Sequence, residues 1–424
     1  MSTRTSSISV GAALLLALGA AAPALSAPHA PRLERISTGA RGSQADGAST
    51  APAISADGRY VAFASAATNL VPGDRNGVTD LFVRDLRTGR TVRVAQGPIV
   101  DRSAFSADGR YLVFVTPAAL AKGDTNGADD IYLRDLRTGR TERVSHGHAP
   151  STPAPHLNSA PTISGNGRYV AYVTASPDTV PGDTNGREDV VVHDRRTGRD
   201  ELVQFTTSGA QGDGDALQPA LGTDGRYVAF TTAAHLDPAH DWTHAQNVYV
   251  RDRVKGVTEQ ISIPTRFVYK SSSFGPSISA NTRLVAFSSN VDSLVPGDTD
   301  KTTDVFLFDR AKQTTVRLST AADGTQGDGA SYGVSLSADG RYAAFGSSAT
   351  NLVPGDTDGV ADIFVKDLRT GAVQQVTGAA DGPSDAVALD ADGSTAAFSS
   401  TATNLVRRDT NGVADIFVRH LEAK

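Results

Sequence analysis

The chain has 424 residues, with 40 basic and 46 acidic side chains, a formal net charge of −6 at pH 7 and no cysteine. The absence of cysteine excludes disulfides, thiolate metal sites and a lipid-modified cysteine, so stability must come from packing. The acidic balance argues against nucleic acid as a partner.

The amino-terminal segment has the pattern of a secretory signal peptide. Arg4 precedes an apolar run over residues 10–24, and small residues follow at Ala24 and Ser26. The run is too short for a stable membrane span. We therefore expect an exported chain that loses residues 1–26 and keeps no integral membrane segment. The pattern leaves open whether the product is secreted, periplasmic or associated with the cell wall.

A nine-residue motif recurs along the chain and sets its organisation. The first copy runs Ser-Ala-Asp-Gly-Arg-Tyr-Val-Ala-Phe over residues 55–63. The later copies begin at Ser106, Ser164, Gly222, Ser279, Ser337 and Asp390. A fixed period of about 50 to 60 residues indicates a repeat architecture.

The sixth copy shows the complete unit. We predict a first strand over 333–337 and a second over 342–346, joined at Asp339-Gly340, a dipeptide that suits a tight hairpin. A third strand is predicted over 362–366 and a fourth over 373–377. Each unit is therefore predicted to be a four-stranded antiparallel meander.

The two ends of the chain complement one another. The seventh copy lacks a fourth strand, whereas a lone strand at residues 33–38 precedes the first copy. Residues 36–49 also match residues 318–331, which follow the fourth strand of the fifth copy. These features predict an all-β fold, a seven-bladed β-propeller of four-stranded antiparallel blades in which the N-terminal strand completes the last blade. The alternative is an open solenoid.

The propeller is predicted to form a single domain over residues 32–422. Its blades are predicted to start near residues 51, 102, 160, 217, 275, 333 and 385. The unit SADGRYVAF followed by D-[LI]-F-V-R-D-L resembles the WD40-like repeat of TolB-type propellers, with Ser-Ala-Asp-Gly in place of the family's Ser-Pro-Asp-Gly. The resemblance covers nearly all of the predicted domain.

This resemblance implies the fold more strongly than it implies a function. Propellers of this type serve as docking surfaces, as sugar-binding or lyase scaffolds and as partner domains of peptidases. TolB itself has six blades and an additional amino-terminal domain, whereas seven copies fill this chain. A role in envelope integrity is therefore not expected from the resemblance.

Six loops between second and third strands follow the pattern Asp-x-[Asn/Asp]-Gly-x-x-Asp, with Lys301 replacing glycine in one of them. Their carboxylate and amide oxygens could converge on calcium, which prefers six to eight oxygen ligands. The alternative is a plain turn, because Asn-Gly favours turns and aspartate forms local caps. The candidate calcium ligands are Asp74, Asn76, Asp80, Asp124, Asn126, Asp130, Asp183, Asn185, Asp189, Asp356, Asp358, Asp362, Asp409, Asn411 and Asp415, together with Asp298, Asp300 and Asp304.

The fourth copy departs from this pattern, since its loop holds three of the nine histidines and the only tryptophan. Imidazole and carboxylate groups can bind a transition metal or transfer protons. The candidate catalytic residues are His240, Asp241 and His244. The candidate ligand-binding residues are Trp242 and His235 in this loop and His146 and His148 in the connection from blade two to blade three. Sequence drift without function is the alternative.

The predicted topology separates two faces of the disc. The long-loop face carries the acidic loops and the connections between blades, and the hairpin face carries both tight turns of every blade. The hairpin face is expected to be basic, which could orient a partner, although turns are polar in any protein. Its arginines are Arg59, Arg87, Arg90, Arg110, Arg137, Arg140, Arg168, Arg196 and Arg199.

The leading hypothesis is an exported, non-catalytic and monomeric propeller that binds an unidentified protein or polysaccharide through its long-loop face. The sequence has no nucleophile elbow and no phosphate-binding loop, and we expect no appended peptidase domain. The alternative is a propeller enzyme, a polysaccharide lyase or hydrolase, that uses the blade-four loop and a bound metal. A wall-associated spacer is a third possibility.

Overall fold

The computed structural model describes residues 32–146, 158–240, 245–266 and 271–421. These residues form seven four-stranded antiparallel sheets, which confirms the predicted seven-bladed all-β propeller. The helical segments in the described part are the 3-10 turns Ala40–Gly42 and Pro238–His240. No helix within the described ranges is long and apolar enough to cross a membrane.

In six blades, four consecutive strands run in order from the channel outward. Blade one contains β2 (Ser49–Ile54), β3 (Tyr60–Ser65), β4 (Asp80–Asp85) and β5 (Arg90–Ala95), and blade two contains β6 (Ala104–Phe105), β7 (Tyr111–Thr116), β8 (Asp130–Asp135) and β9 (Thr141–Arg143). Blade three contains β10 (Asn158–Ile163), β11 (Tyr169–Thr174), β12 (Asp189–Asp194) and β13 (Arg199–Leu202), and blade four contains β14 (Ala216–Leu221), β15 (Tyr227–Thr232), β16 (Asn247–Asp252) and β17 (Val257–Gln260).

The remaining three blades follow the same order. Blade five contains β18 (Ser273–Ile278), β19 (Leu284–Ser289), β20 (Asp304–Asp309) and β21 (Thr314–Arg317), and blade six contains β22 (Ser331–Leu336), β23 (Tyr342–Ser347), β24 (Asp362–Asp367) and β25 (Val373–Gln375). Blade seven contains β26 (Ser384–Leu389), β27 (Thr395–Ser400), β28 (Asp415–His420) and β1 (Leu33–Arg35).

The amino-terminal strand completes blade seven, as the sequence predicts. Strand β1 pairs antiparallel with β28, and the amide of Ile36 donates a hydrogen bond of 2.8 Å to the carbonyl oxygen of Ile416. The strand itself, Leu33–Arg35, is shorter than the predicted segment 33–38. Pairing β1 with β28 covers an edge that would otherwise be free to pair with another chain.

The second and third strands form the core of each blade. Their apolar residues are buried on both faces, because each sheet packs between two neighbouring sheets. In six blades a phenylalanine of the second strand stacks on an aromatic ring of the third, as Phe63 does on Phe82 with centroids 5.9 Å apart. In blade three the equivalent pair is Tyr172 and Val191.

Contacts between blades explain the recurrent Asp-Gly-Arg-Tyr motif. Gly167 of blade three has φ +69°, and a Cβ there would lie 2.6 Å from the ring of Tyr111 in blade two. At Gly167 a Cβ would be strained by the left-handed backbone and would clash with this ring, so glycine is favoured there. The next residue, Arg168, lies 2.6 Å from the carboxylate of Asp194 and stacks 4.6 Å from the ring of Tyr169.

The arginine–aspartate pair recurs in six blades and changes the expected charge of the hairpin face. Hydrogen bonds from Arg59 lower the pKa of Asp85 to about 2. Three of the nine arginines assigned to a basic face are therefore neutralised, and the other six are exposed. The six pairs are Arg59–Asp85, Arg110–Asp135, Arg168–Asp194, Arg226–Asp252, Arg283–Asp309 and Arg341–Asp367.

Deleting residues 32–38 should destabilise the ring and promote self-association. The deletion removes the buried side chain of Ile36 and uncovers the edge of β28. We expect larger species in size-exclusion chromatography with light scattering, and a lower melting temperature. Arg32→Ala, which removes only a largely exposed ion pair with Glu34, is the control and should behave as wild type. A truncated protein that is monomeric and equally stable would contradict the role of β1.

Candidate functional site

In four blades, an arginine of the fourth strand contacts the acidic loop of the same blade. In blade one, Nη1 of Arg93 lies 2.9 Å from Oδ1 of Asp74 and 2.9 Å from Oδ2 of Asp80. The side-chain amide of Asn76 donates to Asp80 at 2.8 Å. The corresponding groups are Arg143 with Asp124 and Asp130, Arg317 with Asp298 and Asp304, and Arg35 with Asp409 and Asp415. In these four blades a fixed guanidinium already supplies positive charge between the two carboxylates.

Blades three and six lack this arginine. The same position on the fourth strand is Leu202 in blade three and Gln375 in blade six. In blade three Asp189 is only 1% exposed, and its Oδ2 has no hydrogen-bond partner. In blade six the carboxylates with oxygens within 4.8 Å of one another are Asp356, Asp358 and Asp362. In these two loops a cation would meet carboxylates that no fourth-strand arginine compensates, whereas the comparable group of Asp298, Asp300 and Asp304 in blade five shares Arg317.

Burial raises the pKa of acidic-loop carboxyl groups in both of these blades. Burial raises the pKa of Asp362 to about 6, and Asp356 and Asp358 add to the shift. Burial also raises the pKa of Asp189, and the nearby carboxylate of Asp183 raises it further. Both effects disfavour the ionised form in the folded protein.

Two histidines and an aspartate meet where blade three packs against blade two. Nδ1 of His193, on β12, lies 2.9 Å from Oδ1 of Asp200, on β13. Nδ1 of His146, at the exit of blade two, lies 3.4 Å from Oδ2 of the same carboxylate. The two imidazole rings stack with centroids 5.1 Å apart. His146 is one of the residues predicted to bind a ligand, whereas His193 and Asp200 were not predicted, although they face each other across one hairpin.

The charges within this cluster support one another. Burial acts to raise the pKa of Asp200, but hydrogen bonds with His146 and His193 outweigh it and leave the pKa lowered. The hydrogen bond with Asp200 raises the pKa of His146. Burial raises the pKa of Tyr172 well above its usual range, and its hydroxyl lies beside Asp200 without completing a hydrogen bond of normal geometry.

The blade-four loop is only partly described. Nδ1 of His240 lies 2.9 Å from Oδ2 of Asp237, and His235 is exposed on the same loop. The predicted residues Asp241, Trp242 and His244, and His148 in the other connection, lie outside the described residues. Their proposed roles therefore stay predictions.

The central channel contains a cavity of about 930 Å³. Its wall is formed mostly by small and apolar residues of the first strands, with Phe105, Phe274, Tyr332 and Gln218 among the larger groups. Among the described residues that line it, Arg102 is the only charged one. Sequence reasoning alone does not reveal this cavity, and its visible signal is an aromatic residue at the second position of a first strand, as at Phe274 and Tyr332.

The cavity opens at the long-loop face. Thr303 and Ala330, which precede β20 and β22 at that face, belong to its wall. At the opposite end, turns of different blades hydrogen-bond to one another and narrow the channel. Examples are the amide of Ala391 with the carbonyl oxygen of Ala56 and the amide of Ala107 with that of Gly165, both at 3.0 Å.

Neither a protein-family model nor a curated protein sequence matches the chain. Solved structures that match include oligogalacturonate lyase in complex with manganese, at 13% identity and TM-score 0.56, over 92% of this chain and 93% of that chain. The β-propeller domain of the Trilobed protease from Pyrococcus furiosus, described as having an open velcro topology, matches at 10% identity and TM-score 0.56, over 89% and 94%.

A putative TolB from Agrobacterium tumefaciens matches at 15% identity and TM-score 0.44, over 80% of this chain and 97% of that chain. At these sequence identities the likeness shows a β-propeller fold and no particular activity.

Asp189→Asn should make the protein more stable at pH 8. Because the folded-state pKa of Asp189 is raised, the folded state binds more protons than the unfolded state above the ordinary pKa, and stability falls as pH rises through this window. Removing the charge should add about 1 kcal/mol or more at pH 8 and little at pH 4. Denaturation at both pH values measures the difference.

The matched control is Asp80→Asn in blade one, where Arg93 compensates the carboxylate. This substitution should destabilise the protein at pH 8, because it leaves part of the arginine charge without a partner. Destabilisation of Asp189→Asn at pH 8 would contradict the assignment of uncompensated charge to blade three.

Proposed function

We propose that the chain is an exported, non-catalytic and monomeric binding module that takes an extended ligand, a peptide segment or an oligosaccharide, at the mouth of its channel. The observation that carries the proposal is the cavity at the long-loop face, which combines Phe274, Tyr332 and Arg102 with a largely apolar wall. Ligand sites are typically concave and apolar with a few convergent polar groups.

The larger side chains of the cavity offer complementary contacts. Tyr332 is 37% exposed and offers an aromatic ring and a hydroxyl, which suit either a sugar face or an apolar side chain. Arg102 can pair with a carboxylate of the ligand in a bidentate manner. Gln218 is already engaged, since its Oε1 accepts a hydrogen bond of 2.8 Å from the amide of Gly275.

Export and family membership belong to the same proposal. The amino-terminal pattern of residues 1–26 supports export. The recurrent Ser-Ala-Asp-Gly-Arg-Tyr motif supports membership of the TolB-type WD40-like repeat family. A binding role agrees with both.

The alternative function is a propeller lyase or hydrolase with a metal in the blade-four loop. Its support is the pairing of His240 with Asp237 beside Asp241, Trp242 and His244 in the sequence. A histidine held by a carboxylate can act as a base.

Binding should depend on the two aromatic residues of the channel mouth. Panels of oligosaccharides, including polyuronides, and of random peptides would be screened against the mature chain, and hits measured by calorimetry. Tyr332→Ala or Phe274→Ala should weaken binding about tenfold or more, as expected for loss of a buried aromatic anchor. Val254→Ala, at a residue 75% exposed on the hairpin face, is the control and should leave binding unchanged.

Equal binding by the channel variants would place the ligand elsewhere. Turnover of a polyuronide that is lost in His240→Ala and His244→Ala, with the channel variants fully active, would replace the binding proposal by the enzyme alternative.

We extend the proposal to calcium, which we place in the acidic loops of blades three and six. These loops keep two or three carboxylates without an arginine between them. The oxygen-rich loops suit calcium, with backbone and water completing the shell.

Calcium should raise the melting temperature of the wild-type protein, and chelation should lower it. Calcium at one hundred times its dissociation constant should stabilise the folded protein by about 2.7 kcal/mol per site. Leu202→Arg with Gln375→Arg supplies the guanidinium found in the other loops, so this variant should not respond to calcium and should be at least as stable without it. An equal response of variant and wild type in thermal melts would contradict the placement.

A further inference from the structure

Each third strand carries, at its penultimate position, a side chain at the boundary with the preceding blade. In blade six, Nζ of Lys366 donates to the carbonyl oxygens of Leu318 at 3.1 Å and Thr320 at 2.8 Å, both at the exit of blade five. In blade four, Arg251 donates to the carbonyl oxygens of Phe205 and Thr206. A fixed cation thus joins these consecutive blades.

The residue opposite this cation on the fourth strand is threonine in three blades. Its hydroxyl accepts a hydrogen bond from the arginine of its own blade. The pairs are Arg84–Thr91, Arg134–Thr141 and Arg251–Thr258. In blade three both positions differ together, since His193 replaces the arginine and Asp200 replaces the threonine.

Blade two presents a third group to this pair. His146 occupies the position that Thr320 has at the exit of blade five, two residues after the amide that ends the ladder with the third strand. Its carbonyl oxygen accepts a hydrogen bond of 2.9 Å from the hydroxyl of Thr179, which holds the backbone in place. A histidine therefore stands where the exit of blade five offers the backbone and hydroxyl oxygens of Thr320.

We propose that His146, His193 and Asp200 bind one divalent transition-metal ion, zinc, at the boundary between blades two and three. One ligand atom of each residue lies within 4.8 Å of the others, so small side-chain rotations bring all three to an ion. Two imidazoles and a carboxylate are a ligand set that zinc accepts, with water in the open position. His146 is about half exposed and leaves that position to solvent, whereas His193 is 7% exposed.

Charge balance supports the same assignment. The Arg251 and Lys366 boundaries each carry one positive charge at this position. A zinc ion with the carboxylate of Asp200 has a net charge of +1, which matches the arginine and lysine boundaries.

The experiment uses the mature chain after chelation and dialysis. Titration with zinc alone should show a site of micromolar or tighter affinity, and zinc should raise the melting temperature. Cobalt in its place should give visible d–d bands of a site with nitrogen and oxygen ligands.

The decisive variant is His193→Arg with Asp200→Thr, because it restores the pair found in blades one, two and four. It should fold with a melting temperature close to that of metal-free wild type, lose one equivalent of zinc and bind cobalt at least tenfold more weakly. His146→Ala, at a partly exposed residue, should show the same loss and serves if the double variant does not fold. Val254→Ala, at an exposed residue of the hairpin face, is the control and should keep this equivalent.

Two results would overturn the proposal. One is a wild-type protein without zinc affinity in the micromolar range. The other is unchanged stoichiometry and affinity in folded His193→Arg/Asp200→Thr or His146→Ala protein.

Discussion

A buried acidic residue at the start of the third strand organises nearly every blade. In blade seven Asp415 accepts hydrogen bonds from Arg35 and Ser37, so the same interaction that holds a fourth strand in the other blades also anchors the closing strand β1. In blade four both partners change together, since Asn247 and Gln260 replace the aspartate and the arginine. In most blades an arginine therefore compensates this buried charge, and in blade four the charge is absent. In blades three and six no arginine of the fourth strand compensates it.

The fold could be predicted because the same structural unit occurs seven times in the sequence. Each copy of the motif marks the same hairpin, and six copies continue to a fourth strand, so errors in one unit are corrected by the others. Predicted starts such as 333 and 102 differ from Ser331 and Ala104 by two residues. The predicted strand 33–38 is longer than β1 because the ladder with β28 ends at Ile36. Thr38 bridges to Gln44 instead.

The candidate sites were harder to predict than the fold, because the residues that form them are brought together only by the pairing of strands. The loop pattern around Asp74 and Asp80 suggested calcium, whereas the group that compensates it, Arg93, lies on another strand and appears only when β4 and β5 are paired. The same holds for His193 and Asp200, which become neighbours across the β12–β13 hairpin. The cavity of the channel needs the whole ring, since all seven blades contribute to its wall.

At one joint between blades, a glycine of the recurrent motif faces polar groups instead of a large apolar side chain. Where blade one meets blade seven, Thr395 stands in the place of the tyrosine, and a Cβ on Gly58 would meet the carboxylate of Asp390 rather than an aromatic ring. This joint also lies beside the one sheet assembled from both ends of the chain. Thermal or mechanical unfolding should therefore begin with the separation of blade one from blade seven, while the other blades stay packed against one another.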